Sequence, residues 1–244
     1  LLVTFIFTIY IIFRQKKLTE IKNDFINNMT HEFKTPISTI SLAAQMLKDP
    51  AVAKSPAMFQ HISGVINDET KRLRFQVEKV LQMSMFERQK TILKMKDINA
   101  NELIKGVINT FTIKVEKYNG KITSELLADD PHIFVDEMHF TNVIFNLLDN
   151  AVKYTPADGK IAVTVKQWEM YVEIKVTDTG KGISESNQAA IFRRFYREEE
   201  VHEQQGVGIG LYLAREIITQ QGGYIKVVSE SGKGSAFSIM LPMR

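Results

Sequence analysis

The chain has no cysteine among its 244 residues. Disulfide bonds and thiolate metal sites are therefore excluded, which suits a reducing compartment. An excess of one charge is missing too: 31 lysines and arginines stand against 28 aspartates and glutamates, a formal net charge of +3. Such a balance gives no argument for nucleic-acid binding. Internal repeats and low-complexity tracts are also lacking, and the length allows two modest domains.

Charged side chains are absent from the first 13 residues, which are nearly all apolar and run into Arg14, Lys16 and Lys17. This order predicts the cytoplasmic end of a membrane helix. Thirteen residues rise only about 20 Å against a hydrocarbon core of about 30 Å, so a complete span would need residues before Leu1. A buried helix of a soluble protein is the alternative. A signal peptide is disfavoured because the basic residues follow the apolar run.

The segment 27–36, N-N-M-T-H-E-F-K-T-P, places His31, Glu32 and Thr35 on one helix just before Pro36. Thr35 lies one turn beyond His31, and Glu32 lies about 100° around the helix axis. A neutral imidazole is a good nucleophile near pH 7, and an adjacent carboxylate can fix its tautomer. His31 is therefore a candidate phosphoryl acceptor, with a solvated or core histidine as the alternative. Pro36 is expected to bend the helix.

Two long helical patterns flank a loop that contains Pro50 and Pro56. The first runs from Leu18 to Lys48, with Leu42 and Met46 in its narrow apolar seam. The second has a comparable seam and continues to about Val80. A lone hairpin buries two such seams poorly, so we expect two copies to form a four-helix bundle. The alternative is that the hairpin packs against the downstream domain.

Beyond Gln89 the pattern mixes helices and strands. Helices are predicted over 101–118, 138–154 and 210–220, and strands over 121–127, 132–136, 160–168, 171–178, 224–228 and 236–241. This order predicts an α/β sandwich, a mixed sheet covered by helices.

Three segments of this region carry nucleotide-binding chemistry. Asn146, Asn150 and Lys153 share one edge of the helix 138–154, where amide oxygens and an ammonium suit hydrated Mg²⁺ and phosphates; an ordinary solvated face is the alternative. Asp178 opens D-T-G-K-G-I and can accept a hydrogen bond from an adenine amine, with Gly180 and Gly182 leaving room for a flat base. G-V-G-I-G-L (206–211) opens a helix whose amide groups favour phosphate.

The segments N-L-L-D-N-A-V-K-Y-T, D-T-G-K-G-I, I-F-R-R-F-Y-R and G-V-G-I-G-L-Y-L-A resemble, in this order, the N, G1, F and G2 boxes of sensor histidine kinases. The upstream His-Glu-x-x-Thr-Pro resembles their H-box. The resemblance covers about Leu18 to Pro242 and implies a HisKA-type hairpin with a GHKL (Bergerat-type) ATP-binding domain. It also implies a dimer and an aspartate of a response regulator as partner.

The resemblance further implies the roles of individual residues. Asn150, helped by Asn146, would hold Mg²⁺, Asp178 would read adenine, and Tyr154 would pack near the base. The remaining nucleotide contacts would come from Lys153, Arg197, Gly180, Gly182, Gly206, Gly208, Gly210 and Leu211. Phe192 and Phe195 would anchor the lid. Two departures bear on ATP affinity: Val207 replaces a common Thr or Ser, and the lid, 198–205, is short and acidic.

These observations together predict a membrane-anchored kinase that transfers the γ-phosphoryl group of MgATP to His31. Glu32 would assist, and Thr35 would serve in dephosphorylating the regulator or simply shape the helix. The expected domains are 1–13 (membrane helix end), 14–90 (hairpin) and 91–244 (ATP binding), with residues after Arg14 in the bacterial cytoplasm and the anchor in the inner membrane. The alternatives are a gyrase-type nucleotide clamp and a membrane scaffold that binds ATP without turnover.

Overall fold

The computed structural model describes residues 1–87, 93–116, 120–196 and 208–243. The chain divides into two compact units, one with residues 1–90 and 195–209 and the other with residues 91–194 and 210–244. The helices are α1 (Leu2–Met46), α2 (Pro50–Ala53), α3 (Pro56–Glu87), α4 (Ala100–Glu116), α5 (Glu137–Tyr154), α6 (Glu185–Gln188) and α7 (Gly210–Gln220). The strands are β1 (Met95–Asn99), β2 (Lys121–Leu126), β3 (His132–Asp136), β4 (Lys160–Gln167), β5 (Tyr171–Asp178), β6 (Tyr224–Glu230) and β7 (Gly234–Pro242).

The first unit is built on the helical hairpin of α1 and α3. Pro50 and Pro56 begin α2 and α3, positions where a helix needs no backbone N–H donor. Asp49 caps α2 by accepting a hydrogen bond from the Ala51 amide at 2.8 Å. Helix α1 continues through Pro36 and reaches back to Leu2, beyond the predicted start at Leu18.

The buried side chains of the hairpin only partly follow the predicted seams. Ala43 and Ile62 are buried with Val52 in a small core at the hairpin tip. Leu42 and Met46, both predicted seam residues, are 60% and 43% exposed. The buried residue that α1 gives to this core is the small Ala43, and Leu42 and Met46 remain uncovered within one chain. None of the described helices has an apolar stretch long enough to cross a membrane.

The second unit is an α/β sandwich. Its five-stranded sheet has the order β2-β4-β5-β7-β6, in which β2 and β4 are parallel and the other pairs antiparallel. Buried and less buried residues alternate along β4, and the buried apolar residues of β5 and β7 also recur at every second position, as expected of a sheet with one covered face. Helices α4, α5 and α7 supply the opposing layer, with Phe140, Leu147, Leu213 and Ile217 among its fully buried side chains. A separate antiparallel pair, β1 and β3, completes the unit.

Candidate active site

His31 lies on the exposed surface of α1, so its ring is accessible to a phosphoryl donor. The Thr35 hydroxyl donates a hydrogen bond to the His31 carbonyl at 3.3 Å. Pro36 is buried and has no N–H for the Glu32 carbonyl. The Glu32 side chain is half-buried, and its Oε2 accepts a hydrogen bond from Gln76 Nε2 of α3 at 3.0 Å. The hairpin thus exposes the histidine and ties the adjacent carboxylate to the second helix.

The start of α5 is fixed by Asp136. Its carboxylate accepts hydrogen bonds from the His139 amide at 3.0 Å, from His139 Nδ1 at 2.9 Å and from the Lys94 amide at 2.8 Å. Burial alone would raise the pKa of Asp136, but the hydrogen bonds from His139 and Lys94 outweigh it and lower the pKa. An ionised, buried carboxylate therefore fixes the start of α5. This helix carries Asn146, Asn150 and Lys153, which form the predicted amide edge.

Along α5, Asn146 is buried while Asn150 and Lys153 are half-buried. The amide edge lies close to the start of α7, because a Cβ added at Gly210 would be 3.6 Å from Asn146 Oδ1. Gly208 has a φ of 72°, a conformation that glycine adopts without strain. The amide groups at a helix N-terminus attract anions, so this corner suits a phosphate chain. Leu211 is half-buried at the same helix start.

Asp178 ends β5 and is buried. Its Oδ1 accepts hydrogen bonds from the Gly180 amide at 2.8 Å and the Ser235 amide at 3.3 Å. Burial raises the pKa of Asp178 although both hydrogen bonds act to lower it. In the part of the chain that the structure describes, Oδ2 makes no hydrogen bond. That oxygen is the one available to an exocyclic amine.

Gly180 and Gly182, which follow Asp178, lie very close to other segments of the backbone. A Cβ at Gly180 would lie 2.4 Å from the Tyr154 carbonyl oxygen. Gly182 has a φ of 70°, and a Cβ there would lie 1.9 Å from the Glu230 carbonyl oxygen. These close backbone contacts already require glycine at both positions, and the expected space for a flat base stays a prediction. They allow the loop after β5 to approach the end of α5 and the β6–β7 turn.

Tyr154 lies between the predicted base site after Asp178 and the predicted amide edge of α5. The Lys181 amide donates to the Tyr154 carbonyl at 3.2 Å. The Nζ atoms of Lys153 and Lys181 lie 5.1 and 5.5 Å from the centre of the Tyr154 ring, within cation–π range. Sequence reasoning missed Lys181, although its place between two glycines was the available signal.

The F-box segment is anchored to α7 and β7. Phe192 is buried, with its ring 6.3 Å from that of Phe237. Arg194 donates to the Tyr212 hydroxyl at 2.9 Å. Phe195 adopts a φ of 64°, which is unusual for a residue with a side chain. Arg197, Gly206, Val207 and the predicted lid lie outside the described residues.

Comparison with known proteins identifies the family. Residues 135–244 match the family described as "Histidine kinase-, DNA gyrase B-, and HSP90-like ATPase", and residues 21–89 match the "His Kinase A (phospho-acceptor) domain". The chain belongs to the sensor histidine kinases. The predicted family and the predicted fold class are thereby confirmed.

Individual relatives make the likeness specific. The chain is 64% identical to the sensor protein RprX of Bacteroides fragilis (strain YCH46), over 100% of this chain and 48% of RprX. It is 31% identical to the adaptive-response sensory kinase SasA of Synechocystis sp., over 92% of this chain and 60% of SasA. The chain thus spans about half the length of one curated relative and three fifths of the other.

Solved structures of the histidine kinase ThkA are also similar. Its catalytic domain is 30% identical, with a TM-score of 0.56, over 62% of this chain and 97% of that chain. ThkA in complex with the response regulator protein TrrA is 25% identical, with a TM-score of 0.66, over 94% of this chain and 64% of that chain.

Proposed function

We propose that this chain is the kinase portion of a two-component sensor, which autophosphorylates His31 from MgATP. The observation that carries the proposal is an exposed histidine beside a fixed carboxylate, in a chain that also holds the buried Asp178 and the asparagine side chains of α5. We assign 14–90 to dimerisation and phosphotransfer and 91–244 to ATP binding.

The nucleotide is bound by four side chains, those of Asp178, Asn146, Asn150 and Lys153. Asp178 Oδ2 accepts a hydrogen bond from the adenine amine, and Lys153 faces the phosphates. Among the described residues no group of three or more histidines and carboxylates suits a metal ion. The amide oxygens of Asn150 and Asn146 nevertheless fit Mg²⁺, which needs few protein ligands when it is shared with phosphates. Bound Mg²⁺ would offset charge on the phosphates. The other assigned contacts are Tyr154, Gly180, Gly182, Arg197, Gly206, Gly208, Gly210 and Leu211.

The chemical step is transfer of the γ-phosphoryl group to a ring nitrogen of His31. The N–P bond forms as the P–O bond to ADP breaks, and Glu32 takes up the proton of the other ring nitrogen. The phosphoryl group then passes to an aspartate of a separate response regulator. The ThkA complex with TrrA supports this class of partner.

Labelling with γ-labelled ATP tests the proposal. His31→Gln should abolish the label without changing ATP affinity, and the wild-type label should be acid-labile and base-stable. His61→Gln is the matched control, because His61 is an exposed histidine on α3. Label that persists in His31→Gln would contradict the assignment. ATP hydrolysis without label would favour the nucleotide clamp, and binding with neither would favour the scaffold.

Thr35 is proposed to help dephosphorylate the regulator. Its exposed hydroxyl lies one turn from His31, where it can position a water molecule against a docked phosphoaspartate. Thr35→Ala should slow regulator dephosphorylation by about tenfold, or roughly 1.4 kcal/mol, with little change in autophosphorylation. Thr70→Ala is the control, because Thr70 makes the same kind of bond to a carbonyl one turn earlier. Equal loss of both activities would instead assign Thr35 to helix shape.

Membrane attachment through residues 1–13 is also proposed, with the kinase on the cytoplasmic face of the inner membrane. The apolar side chains of this segment are exposed, among them Phe5 at 63% and Phe13 at 68%. In a flotation experiment, the whole chain should rise with lipid vesicles, whereas a chain without residues 1–13 should stay at the bottom of the gradient. Equal flotation of both would contradict the anchor.

A further inference from the structure

We propose that Gln76 is a positioning residue for the phosphotransfer step, holding the Glu32 carboxylate in place from the opposite helix of the hairpin. The inference rests on the proposed roles of His31 and Glu32. Gln76 lies on α3, 44 residues beyond Glu32 in the sequence, and its Nε2 donates to Glu32 Oε2 at 3.0 Å. The hydrogen bond therefore joins the two helices at the residue next to the phosphoacceptor.

The direction of the hydrogen bond between Gln76 and Glu32 follows from the chemistry of the two side chains. An ionised carboxylate only accepts hydrogen bonds, so the amide must turn its NH₂ group toward Glu32. The reverse orientation would bring two oxygens together. A neutral amide also differs from a lysine or arginine, since it holds the carboxylate without neutralising its charge. The carboxylate is thereby held for its proposed role as acceptor of a proton from the His31 ring.

The burial of Gln76 argues against a purely structural role. Its side chain is only 9% exposed, and its Oε1 is buried without a hydrogen-bond partner. A buried acceptor left without a donor costs stability, so an apolar side chain of similar size would suit the packing of α1 and α3 better. An apolar side chain at this position could not donate the hydrogen bond to Glu32. The amide is thus better explained by its effect on the carboxylate than by its effect on the fold.

A long, flexible glutamate side chain gains most from such a contact. A glutamate side chain has several rotamers, few of which place the carboxylate for proton transfer, and the hydrogen bond from Gln76 favours one of them. Catalytic geometry is sensitive to displacements of about 1 Å. We expect loss of the amide to cost about tenfold in rate, less than the roughly 10² or more lost when a general base is removed.

The test compares Gln76→Met with wild type in single-turnover autophosphorylation. The rate should fall about tenfold, while the KM for ATP, the dimer mass and the Tm stay at or above wild-type values. Gln60→Met is the matched control, because Gln60 is an exposed glutamine on the same helix, and it should leave the rate unchanged. Gln76→Glu should be slower than Gln76→Met at neutral pH, because it sets two carboxylates against each other.

A double-mutant cycle separates positioning from packing. If Gln76 acts through Glu32, adding Gln76→Met to Glu32→Gln should cause no further loss of rate, whereas a packing role predicts additive losses. Additive losses, a lowered Tm, or a Gln76→Met rate within twofold of wild type would each overturn the inference. Label in His31→Gln would instead mark failure of the proposed function. Full activity of Glu32→Gln would overturn the inference alone, since His31 could still be the acceptor.

Discussion

At Asp178 the proposed binding of adenine and the stability of the fold oppose each other. Its buried carboxylate is held by two backbone amides through one oxygen, which leaves the other for the proposed hydrogen bond from adenine. Burial raises its pKa, so the folded state binds a proton more readily than the unfolded chain does. Its ionised form therefore costs stability at neutral pH, and this cost is relieved as the pH falls through the folded-state value toward the ordinary value of 3.8.

Asp178→Asn should weaken ATP binding at least about tenfold, since the amide presents an NH₂ group or loses a backbone contact. The ligand-free protein should be no less stable at pH 7, because the amide carries no charge to desolvate. Calorimetric titration with ATP and thermal melts at pH 7 and 5 measure both effects. Asp158→Asn, an exposed aspartate, is the control. Near wild-type ATP affinity would show that Asp178 does not read the base.

The start of α5 and the residue before strand β1 are joined through the Asp136 carboxylate. The carboxylate binds the first turn of α5 and the Lys94 amide just before β1. Since its pKa is lowered, its stabilising effect is present above the ordinary value of 3.8 and is lost as the pH falls through the lower folded-state value. The helix carrying Asn146 and Asn150 is thus fixed at one end by a single side chain.

Asp136→Ala should destabilise the ATP-binding unit by about 2 to 4 kcal/mol, the sum of a lost cap and of buried donors left unpaired. Denaturant titration followed by circular dichroism at pH 7 measures the change, and the two units can unfold in separate steps. Asp129→Ala, an exposed aspartate, should have little effect. A loss below about 0.5 kcal/mol would mean that α5 starts without this cap.

The elements that sequence reasoning predicted well are those with local signals. Strands β3 and β5 and helix α7 have the predicted bounds, because turn residues flank each of them. Strand β1 was missed, since Met95–Asn99 is mostly polar and is defined by pairing with β3. The parallel pairing of β2 with β4 and the contacts of Gln76 and Lys181 were missed for the same reason. They depend on partners distant in sequence.

At the scale of the whole molecule, the uncovered apolar face of the hairpin points to a dimer. Leu42 and Met46 on α1 and Val77 and Leu81 on α3 are more than 40% exposed, at the four-residue spacing of a helix seam. A second copy would bury these side chains in a four-helix bundle.

The fragment 14–244 should therefore sediment as a dimer, and a fragment from Thr91 onward as a monomer that still binds nucleotide. Leu42→Glu should shift the longer fragment to monomer, because the charge would have to be buried in the bundle. Leu127→Glu is the matched control, since Leu127 is 61% exposed in the other unit and Leu42 is 60% exposed. Equal dimerisation of both fragments would rule out the bundle.

The place of β7 in the sheet has a consequence for biosynthesis. This strand lies between β5 and β6, yet it contains the last strand residues of the described chain, Gly234–Pro242. When the ribosome has made β6, that strand has no partner in the sheet, because β7 is what joins it to β2, β4 and β5. The long helices, by contrast, are complete once residue 87 has been made. Local helical contacts form faster than distant strand pairings, so a nascent chain completes the helical hairpin well before the ATPase-like unit.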